Sequence, residues 1–553
     1  MRRAALLIAL LAVLAPAASA RAAVTNEQAG LFPHTGITST SDADRPPRIS
    51  SAEAIEAADL DPKVRAEKAD HPHLGPSATK GNGGWEVAYF EAGEELALVA
   101  VDARSGEVLE SWTGYQVSWK MARGYSGAFG HKLNAPYVFL PLCAIFLLGL
   151  VDWRRPWRLA NLDLLVLLGF GISHFFFNRA EIGVSVPLVY PVLLYLLGRS
   201  LWIGLRGRGI GLRPVWPVAW MVVAALFLMG FRVGLNVADA GVIDVGYAGV
   251  VGADRISHGE PVYGNFPSDI SQGDTYGPVD YLAYLPFERI WPWSGGWDDL
   301  PAAHAASVVF DVAAFTFLLL LGIRIRPGPE GQRLASTLAF GWAAYPYTAY
   351  ALESNSNDSL VAALLLASLL LAGWPLGRGA ALAAATWAKF VAAPLGPMFL
   401  TYERRLRPAL LFALGFALVT LVAVAWPAID PGLGTFYDRT IATQAGRSSP
   451  FSIWGQVPSL EPLRIALLAL TGLLSIAFAF APRCKSLLQL AALSAALLIL
   501  LQLTLHHWFY LYVVWWFPLF LAAAAAIEEG PDPAPTSPPA PSPARKNQPA
   551  PAG

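Results

Sequence analysis

Of the 553 residues only two are cysteine, Cys143 and Cys484. That excludes a disulfide framework, a CxxC redox pair and a cysteine zinc site, and leaves any chemistry to carboxylates, histidines, amides and aromatic rings. Charge is equally scarce. Lysine, arginine, aspartate and glutamate make up 14% of the chain, against roughly 25% in ordinary globular proteins. The formal net charge of -1 offers no basic surface to a phosphate backbone, so nucleic acid is not an expected partner. What is abundant is apolar: 55% of residues are hydrophobic and the mean hydropathy is +0.45. Such a chain belongs in a membrane, with membrane lipids as its surroundings.

The N-terminus has three zones. Arg2 and Arg3, the apolar run Leu6 to Leu14 and the small residues Ala18, Ser19 and Ala20 form a secretory pattern, so residues 1–22 are expected to be a signal peptide or anchor. The segment after it then lies outside the cytoplasm. Residues 23–83 are polar, rich in Pro, Ala and Asp and without sustained period, and are expected to be a disordered extracytoplasmic arm. Its His71-Pro72-His73 pair has no third ligand nearby and is not read as a metal site. Residues 84–130 form a small module in which Trp85, Val87 and Tyr89, then Leu96, Leu98 and Ala100, then Val108 alternate around an Asp102–Gly106 turn. That pattern predicts an antiparallel sheet. The phrase from Val101 to Leu109 resembles the strand-turn-strand of PepSY-type domains, which implies a regulatory or inhibitory module; a hairpin that merely caps the membrane domain is the other reading.

Apolar runs of membrane-crossing length then recur, near 133–151, 162–178, 183–203, 216–236, 303–323, 334–351, 357–374, 408–427, 463–481, 486–504 and 508–526. Residues 379–400 are divided by Pro394 and Pro397 and are expected to be a helical hairpin that enters from the cytoplasm and returns to it. With that choice the cytoplasmic loops hold about eighteen Lys and Arg, among them Arg154, Arg155, Arg158, Arg206, Arg208, Arg213, Arg324, Arg326 and Arg333, against about five outside. The expected fold is an all-α polytopic membrane protein of about eleven spans plus the Pro-containing hairpin, with a small extracytoplasmic β-rich module. Residues 131–215 would be accessory transmembrane helices, 216–528 the catalytic domain and 529–553 a disordered Pro-rich cytoplasmic tail.

This topology gathers polar groups on the external face: the 237–302 loop, the Glu353–Asp358 turn, the 428–462 loop and His506 to Tyr510. A carboxylate held at a membrane interface, partly desolvated beside a sugar hydroxyl, suits a general base. Asp244 and Asp239 are the candidates, with capping of a helix over roughly 245–257 as the structural alternative. The cations available to an anionic ligand on that face are Arg447 first, followed by Lys389, Arg439, His506 and His507. Glu353, Asn355 and Asp358 could hydrogen-bond sugar hydroxyls or satisfy the helix ends around them. The acids of the 237–302 loop form no tight pair, so no cofactor and no divalent metal are expected.

Several motifs appear in a recognisable order. Asp244-Val245-Gly246-Tyr247, Gly259-Glu260-Pro261-Val262-Tyr263 and Tyr276-Gly277-Pro278-Val279-Asp280-Tyr281-Leu282 come first. The Glu353–Asp358 turn, Trp387-Ala388-Lys389-Phe390, Gln444 with Arg447-Ser448-Ser449-Pro450, and Trp508 to Tyr512 come after them. Together, over residues 216–527, they resemble GT-C glycosyltransferases, and in particular the polyprenol-phosphate-mannose-dependent family 87. The resemblance implies that Asp244 is the catalytic base and that the first external loop lies as short helices along the membrane. Tyr263, Tyr276, Glu353, Asn355, Asp358, Lys389, Gln444, Arg447, His506, His507 and Asp239 are the expected substrate-binding set. One departure stands: four spans precede Asp244 where that family usually has one, and the extra three have no assigned role.

The expected function is therefore an inverting hexosyltransferase of the cell inner membrane. It would move a sugar, with mannose expected, from a polyprenyl-phosphate donor to a lipid or cell-envelope glycan on the external face. The alternative is a non-catalytic polytopic carrier or scaffold for lipid-linked glycans. Charges buried at mid-span would favour that alternative, and Asp311 is the main one.

Overall fold

The computed structural model describes residues 48–80, 84–124, 131–209, 211–212, 214–443 and 449–525. The expected signal segment, the C-terminal tail, Gln444 and Arg447 lie outside the described residues.

The N-terminal module begins earlier than its strand pattern suggested. Helices Ser51–Asp59 and Pro62–Asp70 precede four strands, β1 (Gly75–Lys80), β2 (Gly84–Glu91), β3 (Glu94–Asp102) and β4 (Val108–Thr113), which pair antiparallel in the order β1-β2-β3-β4. Val87, Tyr89, Ala97, Val99 and Val101 point to one face and pack on Ala54, Ala58 and Val64 of the two helices. Residues 48–80 are thus folded rather than part of an unstructured arm. Their signals are caps, not hydrophobic period. The Ser50 amide donates to Glu53 Oε2 at 2.7 Å and Ser50 Oγ accepts from the Glu53 amide at 3.3 Å, a reciprocal capping box. Asp61 accepts from the Lys63 amide at 2.8 Å, just before Pro62. The Asp102–Gly106 turn is as expected: Asp102 Oδ1 accepts from the amides of Arg104 and Ser105 at 2.9 and 2.6 Å.

Among the described residues six helical stretches are long and apolar enough to cross a membrane: Leu159–Asn178, Ile182–Arg206, Val218–Asp239, Pro301–Ile325, Leu406–Ala442 and Pro458–Phe480. Trp220, Phe227, Leu421, Val422, Leu473 and Ile476 lie exposed on them, an apolar outer surface that suits lipid rather than water. Five further apolar helices are shorter, so the eleven expected spans are not all of spanning length. Asp358–Leu370 has 13 residues and rises about 20 Å at 1.5 Å per residue, short of a hydrocarbon core of about 30 Å. Leu487–Gln502 and the Val513–Ala525 helix are buried along nearly their whole length, so their apolarity is that of a protein interior. The expected 334–351 span is broken: Gly328–Ala344 ends at Tyr345, and Pro346 opens a second helix to Glu353.

The 379–400 segment reverses on itself. Pro375–Ala388 ends at Lys389, a 3-10 stretch Phe390–Leu395 containing Pro394 turns the chain, and Gly396–Leu400 runs back. Its two feet meet again, with Arg378 Nη1 3.8 Å from Glu403 Oε1.

The helices of residues 131–215 are not a separable layer. Leu142, Phe146, Leu193 and Leu196 belong to the same core as Leu338, Leu490 and Trp516. Tyr345 donates to the Leu167 carbonyl at 2.8 Å, and Tyr510 and Ser173 share a hydrogen bond of 2.7 Å. At mid-core Arg232 of Val218–Asp239 reaches Asp311 of Pro301–Ile325 at 2.9 Å and also donates to the Trp342 carbonyl at 3.1 Å and Thr348 Oγ1 at 3.2 Å. The Trp342 indole donates to the same Asp311 oxygen at 2.9 Å. Asp311 is therefore a paired structural charge tying four helices together.

Candidate functional site

The six residues Glu353 to Asp358 link two helices and are all buried. A buried turn carries polar atoms that need partners, and this one draws them from both sides. Asn355 takes φ 48°, a left-handed conformation that asparagine tolerates better than most residues. Its amide donates to the Gly241 carbonyl at 2.9 Å, and its oxygen accepts from Asn236 at 2.9 Å. Asn236 Oδ1 lies 3.0 Å from His304 Nδ1.

On that same side the turn fixes the start of the Asp244–Ser257 helix. The Ile243 amide donates to the Ser354 carbonyl at 3.2 Å. Gly246 presses so close that a Cβ there would sit 2.3 Å from the Asn355 carbonyl oxygen. Asp244 is thereby held as the first residue of its helix, one residue from a backbone bond to the turn. Its Oδ1 accepts from the Val245 amide at 2.9 Å, so the carboxylate does sit on the helix N-terminus, where the macrodipole favours its charge.

The other side of the turn carries a cation. Asp358 Oδ1 accepts from Lys389 Nζ and, at 2.7 Å, from the Trp515 indole. Lys389 Nζ lies 5.5 Å from the Tyr276 ring centroid, 5.7 Å from Tyr512 and 5.3 Å from Trp515. Three aromatic faces stabilise the ammonium by their quadrupoles. The helix Pro278–Glu288 abuts this box end-on: the Gly277 amide donates to the Ala388 carbonyl at 3.2 Å, and a Cβ on Gly277 would lie 2.0 Å from the Trp387 carbonyl oxygen. Two residues into that helix, buried Asp280 accepts from Asn357 Nδ2 at 2.8 Å. Burial, with the nearby Asp358 charge adding to it and Asn357 and Lys389 opposing it, pushes the Asp280 carboxyl up to about 7. Asp280 was not among the expected site residues. It reads in sequence as an ordinary first-turn acid, although it stands inside the Tyr276–Leu282 motif.

Several buried oxygens at the turn have no hydrogen-bond partner among the described residues: Asp280 Oδ2, Asn357 Oδ1, Asp358 Oδ2 and both carboxylate oxygens of Glu353. Those of Asn357 and Asp358, on the side of the turn that carries the Lys389 ammonium, are complementary to hydroxyl donors on an anionic ligand, whereas Glu353 lies within reach of the Arg232 charge.

The remaining expected residues are distributed differently. Tyr263 is buried, donates to the Tyr276 carbonyl at 3.1 Å and stacks on Trp426, so it positions Tyr276. Asp239 is bound to Lys132, at 2.8 Å to the amide and 3.1 Å to Nζ, and ties the module's linker to the Val218–Asp239 helix. His506 faces Glu461 at 3.4 Å, and burial holds its imidazole below the usual range. His507 Nδ1 lies 2.9 Å from Ser449 Oγ, with Trp119 at 5.9 Å between ring centroids. His507 also packs on Tyr512, one of the rings around Lys389, with centroids 6.4 Å apart. Arg439 instead clamps Asp274, at 2.6 Å from each nitrogen, and orders the loop leading to Tyr276. Among the described residues no group of three histidine, cysteine or carboxylate side chains could hold a metal ion.

No protein-family model and no curated protein matches the chain. Among solved structures it is similar to ArnT from Cupriavidus metallidurans bound to undecaprenyl phosphate, with a TM-score of 0.39 and 17% identity over 56% of this chain and 59% of that one. The chain thus spans about three-fifths of that solved chain's length. At so low a similarity, function has to be read from the site.

Proposed function

We propose that the chain is an integral-membrane glycosyltransferase that takes a sugar, mannose by preference, from a polyprenyl phosphate and delivers it to a lipid or cell-envelope glycan acceptor on the external face. The support is one observation. The start of the Asp244 helix and the caged Lys389 with its carboxylate and amide neighbours are braced against the same six-residue turn. A base and a cation at opposite sides of a small polar site are what displacement at a sugar carbon needs.

In this reading Asp244 accepts the proton of the acceptor hydroxyl as that oxygen bonds to the anomeric carbon. The bond from that carbon to the phosphate oxygen breaks with its electron pair going to the phosphate, and one displacement inverts the centre. Lys389 stabilises the negative charge that gathers on the departing phosphate. Asp358 and the Trp515 indole hold the lysine in place, while the unpartnered oxygens of Asn357 and Asp358 accept from sugar hydroxyls. Phosphate is already a good leaving group, so no strong general acid is required. The carrier reading loses its main residue, because Asp311 is paired with Arg232.

The test compares wild type with Asp244→Asn in membranes supplied with labelled polyprenyl-phosphate-mannose. Wild type transfers label into a lipid-extractable or polymeric product, and Asp244→Asn, expressed at the same level, loses at least a hundredfold of the rate, the usual scale for a general base. Equal transfer by both proteins would remove Asp244 from the mechanism; no transfer by wild type with mannose or arabinose donors would remove the enzyme.

A further inference from the structure

The lysine box contains one more acid than its charge balance needs. Lys389 is matched by Asp358, and Asp280 is a second carboxyl in the same buried cluster, joined to it through Asn357. Asp280 has no exposed surface, its Oδ1 accepts from the Asn357 amide, and its Oδ2 has no partner among the described residues. Were both carboxylates ionised, a donor bearing a phosphate would approach a buried cluster of net charge minus one. Like charge in a low-dielectric site opposes that strongly.

We propose that Asp280 holds a proton while the sugar donor is bound, so that the phosphate meets Lys389 with only one counter-carboxylate, Asp358, beside it. Asp280 is then a positioning residue that sets the charge of the donor site, and the inference rests on the glycosyltransferase reading. The arrangement suits a neutral acid. Asn357 donates to the oxygen that would be the carbonyl, and no donor among the described residues reaches Oδ2 to stabilise it as an ionised oxygen, which leaves Oδ2 as the atom that carries the hydrogen.

The other charged and titratable groups around it are Lys389, Asp358 and Asp274, together with Tyr263, Tyr281 and Tyr284, whose hydroxyls burial keeps well above the usual range. From the packed helices, Gly249 and Gly252 meet the Tyr284 and Tyr281 rings, and Phe310 meets Tyr284. The carboxyl of Asp280, raised to about 7, is thus the group in this cluster that changes charge near neutrality. It is neutral below that pH and ionised above it, so donor affinity falls as pH rises.

The size comes from populations. With a midpoint of about 7, the neutral fraction drops from about nine-tenths at pH 6 to about one-tenth at pH 8, and an affinity that requires the neutral form drops about tenfold. The experiment measures binding of polyprenyl-phosphate-mannose to the purified protein from pH 5.5 to 8.5, and the donor KM and kcat over the same range. The donor is a phosphodiester with one fixed charge, so only the protein titrates. Expected is a rise of about tenfold in Kd and KM between pH 6 and 8 for wild type, and a flat profile for Asp280→Asn, which keeps the acceptor for Asn357 and the neutral charge. A flat wild-type profile, or an equal slope in both proteins, overturns the role of Asp280 while leaving the transferase standing. Absence of donor binding at every pH overturns the transferase reading and this inference with it. The wild-type profile decides the matter even if Asp280→Asn does not fold.

Discussion

Asp311→Asn tests the view that the mid-core charge is structural. Arg232 and Asp311 are 1% and 0% exposed, so the pair is beyond the reach of solvent screening. Asp311 Oδ1 accepts from both Arg232 and the Trp342 indole, and an asparagine oxygen can keep accepting from Trp342. The substitution therefore removes the charge and little of the shape. It leaves a buried guanidinium with the Trp342 carbonyl, Thr348 Oγ1 and an amide oxygen as hydrogen-bond partners and Glu353 as the other carboxyl near it, and stranding one member of a buried pair costs about 3–5 kcal/mol. Replacing both members, Arg232→Met with Asp311→Leu, removes the stranded charge and is expected to recover most of that loss. Unfolding in one detergent of wild type, Arg232→Met, Asp311→Leu and the double variant, arranged as a double-mutant cycle, reads the coupling directly, with Asp311→Asn measured beside them. A cost below about 1 kcal/mol for Asp311→Asn, the scale of an exposed pair, would refute the reasoning. It would mean that water reaches the pair and would restore Asp311 as a carboxylate able to carry charge.

Two further outcomes are expected. Asp239→Asn breaks a partly exposed pair with Lys132 and should cost under about 1 kcal/mol while leaving sugar transfer intact; loss of transfer would move the base from Asp244 to Asp239. Gly277→Ala pushes a Cβ toward the Trp387 carbonyl, 2.0 Å away in the present geometry, so the Pro278–Glu288 helix has to back away from the lysine box. Thermal unfolding should register about 1–3 kcal/mol of overpacking, and the donor KM should rise, with unchanged stability and KM counting against the close fit.

Much of this site could be read from local sequence, and the unread part is long-range. Asp244, Lys389 and Asp358 stand out because each is a charge at the edge of an apolar run. That Lys389 would be matched by Asp358, 31 positions away, and boxed by Trp515 from the last helix depends on packing between helices, which periodicity does not encode. Asp280 was hidden for a related reason: a first-turn acid after proline is so ordinary at a helix start that only its burial sets it apart. Asp239 has a partner that local reading does not find, Lys132, 107 residues earlier. The eleven-span reading rests on composition, which carries a physical degeneracy. The Val513–Ala525 helix is as apolar as any lipid-facing one because protein, not bilayer, surrounds it, and composition alone cannot distinguish these two apolar solvents. The arm at 48–80 failed because two nine-residue helices that bury only Ala54, Ala58 and Val64 leave almost no hydrophobic rhythm.

The turn at Glu353–Asp358 acts as a gauge block. Ser354 and Asn355 set the position of Asp244, the proposed base, and Asp358 holds Lys389, the proposed phosphate-binding cation, so the placing of the two is fixed within a single run of six residues and inherited from no flexible loop. Under the proposed reaction, surrounding loops can therefore vary in length and sequence, and with them the acceptor that is admitted, without changing that spacing. A shift of that turn by one residue would misplace both groups together.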